Sequence, residues 1–420
     1  MVSARQRDPG AGRAGCCRRA PAGLRGPDDT RVGYNGAMKN VVILGSTGSI
    51  GRQTLDVIER MPGRFRVVGL AAGRNATLLA EQANRFSVPN VCIGDEPGLE
   101  AALCRDASGR NPRIYHGVEG MCALGALPEA DIVVVSVAGA IGILPTHAAI
   151  EAGKTIALAS KEVLVAAGEH TMRLCRERGV RILPIDSEHS ALFQCLDGAA
   201  PGSIERLYLT ASGGPFRCMT AAEMAAVTPA QALKHPTWNM GGLVTINSAT
   251  LINKGLEVIE ARWLFDVPVD RVEVVVHPQS IIHSMARFRD GSVLAQLGLP
   301  DMRLPIQYAL TYPDRVDTAL PRLDPVTMGS LTFEAPDEDR FPALRLARLA
   351  TEAGGTMPAA MNAANEEAVA AFLAERTGFT GIMETVATVM DRHDPLDPTF
   401  ANVIAADRDA RSAARALCGV

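Results

Sequence analysis

Asp186-Ser187-Glu188 sets two carboxylates two residues apart, at the end of the short apolar run Ile182-Leu183-Pro184-Ile185. In extended backbone, positions i and i+2 face the same side, so both acids can converge on one ion; hard oxygen donors of this kind favour Mg2+ or Mn2+ over zinc. A third acid, Glu257, follows Asn253 by one helical turn, with Lys254 beside them. Taken singly, each pattern has a plainer explanation: D-x-E as a helix cap or solvated turn, and the helical acid as one arm of a salt bridge. Thr210-Ala211-Ser212-Gly213-Gly214-Pro215-Phe216 places a hydroxyl beside paired glycines, which suits an anion-binding nest and a simple turn equally. The run His235-Pro236-Thr237-Trp238-Asn239-Met240-Gly241-Gly242 breaks regular structure around one of two tryptophans. Such a loop can close over a substrate and exclude water, or it can anchor its Trp in the core.

These groups need a frame. Val41-Val42-Ile43-Leu44 is a β-branched run that ends at Gly45, followed by Ser46-Thr47-Gly48-Ser49-Ile50-Gly51 and then helical spacing from Gln53 to Ile58. Strand, glycine turn and helix together let the backbone approach a pyrophosphate and present it to a helix N-terminus. The spacing is G-x-x-G-x-x-G rather than G-x-G-x-x-G, so the turn alone does not demand a ligand. The next apolar run, Phe65 to Ala72, leads into Gly73-Arg74-Asn75. An NAD site would place Asp or Glu there, whereas a guanidinium and an amide suit the additional phosphate of NADP. Two further apolar strands, 131–137 and 155–159, with a crossover helix over 144–152, fit a parallel sheet covered on both faces. The second of them opens onto Ser160-Lys161-Glu162, at the edge where such sheets bind ligands.

The expected fold class is α/β. A Rossmann-like NADPH-binding domain covers 38–185. A central α+β catalytic domain with a flap covers 186–312, in which Asn247-Ser248-Ala249-Thr250 caps a helix running to Phe265. Residues 313–341 read as a linker, and 342–420 as a C-terminal helical domain with helices over 343–352, 359–375 and 380–390. Glu366 and Glu367 read as a solvated face or cap. Over 420 residues the formal net charge is −4, which provides no field to draw the chain to nucleic acid or an anionic membrane. No apolar run reaches the roughly 18 residues of a membrane span. The 9 cysteines show no CxxC pair and read as reduced thiols of a cytoplasmic protein. Residues 1–37, rich in arginine and without apolar periodicity, read as a disordered, dispensable extension, because Met38 directly precedes the first strand. Plastid-type targeting is the lesser alternative for a segment so poor in serine.

In order along the chain, GSTGSIG (45–51), AAGRN (71–75), SKEVLV (160–165), PIDSEHSA (184–191), TASGGPFR (210–217), HPTWNMG (235–241), NSATLINKGLEVIEA (247–261), HPQSIIHS (277–284), GLPDMRLPI (298–306) and MNAANEEAV (361–369) resemble the 1-deoxy-D-xylulose 5-phosphate reductoisomerases of non-mevalonate isoprenoid synthesis. The resemblance implies NADPH and one divalent metal (Mn2+, Mg2+ or Co2+) as cofactors, a sugar-phosphate substrate, and a bacterial, cytoplasmic homodimer. The implied reaction rearranges the carbon skeleton by a retro-aldol and aldol sequence and reduces the resulting aldehyde by hydride transfer. By position, the resemblance assigns Thr47, Gly48, Ser49 and Ile50 to the pyrophosphate and Gly73, Arg74 and Asn75 to the adenosine phosphate. Ser160, Glu162 and Gly241 lie along the cofactor. Asp186, Glu188 and Glu257 become the metal ligands, and Lys161, Glu188, Glu257 and His235 the catalytic groups. The substrate falls to Lys161, Ser187, Glu188, Ser212, His235, Trp238, Ser248, Asn253, Lys254 and Glu257, with residues 235–241 as a flap.

Three positions depart from the family pattern: Ser160 stands where many members have Asn, Leu243 where many have Lys, and Asn247 where many have Asp. Ser160 weakens one cofactor contact and Leu243 alters flap closure; none of the three is a metal ligand. His283 and Met302 lie in matched strings but are expected to pack rather than to act. Two other functions set the contrast. A metal-independent NADP-linked dehydrogenase predicts a catalytic Cys or Lys–Asp pair and turnover in chelator, yet no cysteine sits in a Gly- or Asn-rich turn. A non-catalytic NADPH-binding sensor predicts a degenerate metal site, whereas all three carboxylates are present.

Overall fold

The apolar runs pair side by side, all in one direction. The computed structural model describes residues 36–94, 102–104, 109, 111–200, 202–234 and 241–419, and the account below concerns the compact unit Ala37–Val420. Strands β1 (Lys39–Leu44), β2 (Phe65–Ala72), β3 (Asn90–Ile93), β4 (Arg113–His116), β5 (Ile132–Val135), β6 (Thr155–Leu158) and β7 (Ile182–Pro184) form a parallel sheet in the order β4-β3-β2-β1-β5-β6-β7. Val41 to Leu44 and Val133 to Val135 are fully buried, as strands covered on both faces must be. Helices α1 (Ser49–Glu59) and α2 (Ala76–Phe86) pack on one face. On the other lie α3 (Gly117–Gly125), α4 (Ile143–Glu151) and α5 (Glu162–Arg178). Strand order reverses between β1 and β5, so the loops leaving those two strands frame a crevice, the usual ligand position in such sheets. At the glycine turn, a Cβ on Gly51 would stand 2.3 Å from the Gly45 carbonyl oxygen, so this position admits only glycine without a backbone shift.

Beyond β7 come α6 (Ser187–Cys195), β8 (Ile204–Ala211), the short helices α7 (Ala221–Ala225) and α8 (Pro229–Ala232), α9 (Gly242–Ala249), α10 (Ile252–Leu264), β9 (Val272–Val276), β10 (Ile282–Phe288), β11 (Val293–Leu297) and α11 (Arg303–Thr311). The four strands form a second sheet in the order β11-β10-β8-β9, with β8 and β9 parallel and the other pairs antiparallel. Through Ile306, Ala309 and Leu310, α11 returns to the α1/α2 face of the first sheet. The chain ends in α12 (Ala343–Ala353), α13 (Met357–Leu373), α14 (Phe379–Arg392) and α15 (Phe400–Leu417). These helices share an apolar core with α10: Ile252, Leu256 and Ile259 meet Ala347, Ala364 and Phe372.

The structure differs from expectation in four places. Asp186 and Glu188 do not lie in extended backbone: Asp186 is the N-cap of α6 and Glu188 stands in its first turn. Asn247, Ser248 and Ala249 close helix α9 instead of capping the next one, and the break falls at Leu251, whose φ is 60°. There the Thr250 hydroxyl donates back to the Ile246 carbonyl, a local bond that competes with helix continuation. Residues 313–341 are not wholly free of the body, since Glu334 bridges Val276 and the Thr332 carbonyl meets His277 Nδ1. Helix α15 was outside the three C-terminal helices expected.

Candidate active site

Three segments bring charge to one cavity. Helix α5 starts at the end of β6 and carries Lys161 at its N-cap; α6 starts at the end of β7 and carries Asp186 and Glu188; α10 contributes Asn253, Lys254 and Glu257. A close crossing fixes α10 against α5, because a Cβ on Gly168 would lie 2.2 Å from the Trp263 ring. One carboxylate oxygen from each of Asp186, Glu188 and Glu257 lies within 4.8 Å of the others. Although Asp186 holds the N-cap position of α6, its side chain makes no capping bond there. Its Oδ2 instead faces Lys161 Nζ at 2.8 Å. Lys161 Nζ also donates to Asn253 Oδ1 at 3.0 Å. Lys254 Nζ sits 2.6 Å from both Glu188 Oε1 and Glu257 Oε2. Asn253 Nδ2 donates to Glu257 Oε1, and Ser187 Oγ donates to Glu188 Oε2 at 2.6 Å.

The electrostatics follow from burying three acids with two cations. Burial, reinforced by the Asp186 and Glu188 charges, pushes the Glu257 carboxyl up to about 8 against the pull of Lys254 and Lys161. For Asp186, burial opposes ionisation but Lys161, His189 and Lys254 overcome it and hold the carboxyl well below its ordinary value. Burial likewise works against the Lys161 ammonium, yet Asp186, Glu257 and Glu260 hold it well above the usual lysine value. The three acids are hard oxygen donors whose mutual repulsion a divalent cation would relieve, so the donor set fits Mg2+ or Mn2+. A second trio, Asp186, His189 and Glu260, is also compact enough to hold an ion. His189 and Glu260 are fully buried and do not line the cavity. Moreover, His189 Nε2 lies 3.0 Å from the Glu257 carbonyl oxygen, to which it must donate. That trio lies behind the cavity wall, where it braces α6 against α10.

The cavity has a volume of about 750 Å3 and joins this charged wall to the glycine turn, from which Ser49 and Ile50 line it. Lys161, Ser187, Ser212, Ser248, Asn253, Lys254 and Gly241 line it as well. Gly213 and Gly214, at φ 84° and 67°, turn the backbone beside Ser212. Gly73, Arg74 and Asn75 stand exposed at the end of β2, where Asn75 Oδ1 also caps α2 by accepting from Leu78 N–H at 3.0 Å. Ser160 is buried and its hydroxyl donates to the Val137 carbonyl. Glu162 accepts from the Gly139 backbone N–H, and burial with the nearby Glu366 charge raises its pKa. His235 and Trp238 lie outside the described residues.

Sequence reasoning missed several cavity residues. Asp56 and Asp301 flank Arg303, whose Nη1 and Nη2 reach them at 3.2 and 2.6 Å, and all three line the cavity. The only signal was the Asp-Met-Arg spacing within GLPDMRLPI. His283 and Met302, expected to pack, line it too. His283 Nδ1 meets Gln296 Oε1 at 3.0 Å, so its ring is held from behind.

Residues 41–168 match the family described as 1-deoxy-D-xylulose 5-phosphate reductoisomerase, residues 182–265 the C-terminal domain of that enzyme, and residues 297–413 the family described as DXP reductoisomerase C-terminal domain. A 1-deoxy-D-xylulose 5-phosphate reductoisomerase of Symbiobacterium thermophilum is 57% identical over 381 residues, which span 90% of this chain and 98% of that protein. The enzyme of the same name from Pelotomaculum thermopropionicum is 54% identical over 376 residues, 89% of this chain and 97% of its own length. Among solved structures, the Zymomonas mobilis enzyme in complex with NADPH has 44% identity and a TM-score of 0.83, covering 91% of this chain and 99% of its own. A DOX-P reductoisomerase in complex with NADPH, fosmidomycin and magnesium has 38% identity and a TM-score of 0.85, over 91% of this chain and 98% of its own.

Proposed function

We infer the activity from kinship: this chain belongs to the 1-deoxy-D-xylulose 5-phosphate reductoisomerase family, and it converts 1-deoxy-D-xylulose 5-phosphate to 2-C-methyl-D-erythritol 4-phosphate at the expense of NADPH. Among the observations of the molecule itself, the one that carries this reading is the convergence of Asp186, Glu188 and Glu257 on a cavity that also opens onto the glycine turn. Asp186, Glu188 and Glu257 hold the divalent cation, and Thr47 to Ile50, Gly73, Arg74, Asn75, Ser160, Glu162 and Gly241 hold NADPH. When bound, the cation supplies Lewis acidity to the substrate's ketone and adjacent hydroxyl, and NADPH supplies the hydride.

The chain's own residues bind and orient. Lys161 Nζ, held by Asp186 and Asn253, is an ammonium at neutral pH and meets oxygen on which negative charge develops. Ser187 fixes the Glu188 carboxylate from one side while Lys254 fixes it from the other. Ser212, Ser248, Asn253 and Lys254 gather the substrate's phosphate and hydroxyls; contact so far from the reacting carbons can be used for alignment. His235 and Trp238 also serve the substrate. The carboxylates argue against a metal-independent dehydrogenase, since Lys161 and Lys254 offset only two of the three buried acids.

The dinucleotide-binding part is 38–185, the catalytic part 186–312, the connection 313–341 and the helical part 342–420. A homodimer is favoured by β11, an edge strand whose Val293, Leu294 and Leu297 are exposed, since an uncovered apolar edge is an invitation to pair. A cytoplasmic location is supported by the described cysteines, all of them unpaired; no described helix is long and apolar enough to cross a membrane.

The test is NADPH oxidation followed with and without 1-deoxy-D-xylulose 5-phosphate, Mg2+ or Mn2+, and excess EDTA. The expected result is turnover that needs both substrate and cation and stops with chelator; equal turnover in EDTA would remove the cation from the mechanism.

A further inference from the structure

The string MNAANEEAV forms most of α13, a helix that does not line the cavity. Its polar residues are nevertheless spent inside the protein: Asn362 and Asn365 are 1% and 0% exposed, and the Glu366 side chain is 15% exposed. A buried asparagine is costly unless its hydrogen bonds are made, and Asn365 Oδ1 has no partner among the described residues. An apolar side chain would pack there at lower cost, so what Asn365 does make needs explaining. Its Nδ2 donates to Asn247 Oδ1 at 3.0 Å, and Asn247 sits in α9 immediately before Ser248, a cavity residue.

The next residue points elsewhere, because consecutive side chains on a helix diverge by roughly 100°. Glu366 Oε2 pairs with Arg411 Nη2 of α15 at 2.7 Å, and Oε1 accepts from Asn362 Nδ2 at 2.9 Å. Held in this way, the carboxylate closes on Gly139, where an added Cβ would lie 3.2 Å from Oε2. Gly139 belongs to the loop leaving β5, at the reversal of strand order, and its N–H bonds the Glu162 carboxylate. Glu366 was expected to be a solvated face or cap; instead it is a point at which the C-terminal helices touch the cofactor side of the crevice.

We propose that Asn365 and Glu366 are positioning residues acting on different halves of the site, Asn365 setting the helix that presents Ser248 to the substrate phosphate and Glu366 setting the Gly139–Glu162 loop against NADPH. The proposal rests on the reading of function above. Rigid interiors transmit such placement, and a displacement of the order of 1 Å at a binding wall costs substantial affinity or rate. The Asn365 contact works with either Asn or Asp at position 247, since both offer an accepting oxygen. The departure at Asn247 therefore keeps the bond and loses only its charge assistance.

The experiment measures two dissociation constants for each variant, together with its melting temperature. NADPH binding is followed by quenching of its fluorescence in the absence of substrate. Binding of 1-deoxy-D-xylulose 5-phosphate is followed by calorimetry in the presence of NADP+ and Mg2+. Asn365→Leu and Asn247→Leu, which keep the branching and heavy-atom count of the side chain and remove one partner each, are expected to weaken substrate binding roughly tenfold and leave NADPH binding within about twofold. Asn247→Asp is expected to keep substrate binding. Glu366→Gln is expected to show the reverse split, with NADPH weakened roughly tenfold and substrate unchanged. Equal losses of both ligands in either class, or a lowered melting temperature with both constants intact, would overturn the proposal. If the unaltered protein fails to turn over 1-deoxy-D-xylulose 5-phosphate, the reading of function falls, while the NADPH arm still decides the role of Glu366.

Discussion

The two walls of the cavity are built on opposite principles. The glycine wall is local: within seven residues, Gly45 to Gly51, a buried strand turns into a helix, and the shape is set by backbone approaching backbone at Gly51. The carboxylate wall is assembled from α5, α6 and α10, so that residues 161, 186, 188, 254 and 257 meet only once the chain has folded. Sterics complete the first wall before any ligand arrives. The second is left under electrostatic tension, with Glu257 forced up to about 8 by burial and by its fellow acids. A site that binds a polyanionic dinucleotide needs preformed donors, whereas one that binds a cation needs donors that would rather not be together.

The sharpest way to break this comparison is to remove charge from one wall and shape from the other. Glu257→Gln keeps the side chain's size and its helix, but it deletes one of three anionic donors. Turnover with saturating Mg2+ should fall on the order of a thousandfold or more, because the cation's stabilisation of developing charge amounts to several kcal/mol. NADPH affinity, measured by fluorescence titration, should stay within about twofold. Turnover within about tenfold of the parent would mean that the carboxylate wall does not act as a unit.

Gly51→Ala does the converse. Its methyl group would overlap the Gly45 carbonyl oxygen at 2.3 Å and the Ser46 Cα at 2.5 Å, both backbone atoms with nowhere to go. Overpacking of this kind costs about 1–3 kcal/mol, and the turn must move in the place where the pyrophosphate is cradled. The expected outcome is a lowered melting temperature together with weakened NADPH binding, while Mg2+ affinity, measured separately by calorimetry, is unaffected. A variant that melts normally and binds NADPH normally would show that the turn is softer than its contacts imply.

The same contrast explains what could be read from sequence. Strands β1, β2, β5 and β6 announce themselves as apolar runs, and the glycine turn follows one of them directly. Arg74 after β2 was visible for the same reason. The carboxylates were visible as types but not as a constellation, because nothing in the order of residues says that Lys161 lies 2.8 Å from Asp186. Helix α15 escaped notice because three of its four buried residues are alanines, Ala406, Ala410 and Ala414, which make no apolar stripe on paper. Glu366 and Glu367 read as solvated because their partners, Arg411 and Arg415, stand more than forty residues away in the chain. The break before α10 hid behind Leu251, a residue type that gives no warning of a left-handed turn.

A smaller effect separates the acid sensitivity of the fold from that of the site. His147 of α4 lies away from both walls, with Nε2 2.8 Å from the Thr171 hydroxyl, the His170 ring at 5.0 Å and the Phe400 ring at 5.8 Å. Burial, with a lesser push from His170, lowers its pKa from 6.5 to about 4. Below pH 6.5 the unfolded chain therefore binds a proton that the folded protein refuses. The stability this imidazole contributes is complete above that pH and is lost as pH falls toward 4. Between pH 7 and pH 6 the loss from this one residue should be roughly 0.7 kcal/mol. His189 and His283 are also held neutral by burial, so the parent's total slope belongs to several groups. The informative quantity is the difference between the parent and His147→Gln, whose amide can still meet Thr171. Urea unfolding at pH 7 and pH 6 should show that difference narrowing by about 0.7 kcal/mol in favour of the variant as pH drops. A difference that stays constant would mean that His147 is as free to take a proton in the fold as out of it, and that the acid sensitivity lies with the carboxylate wall instead.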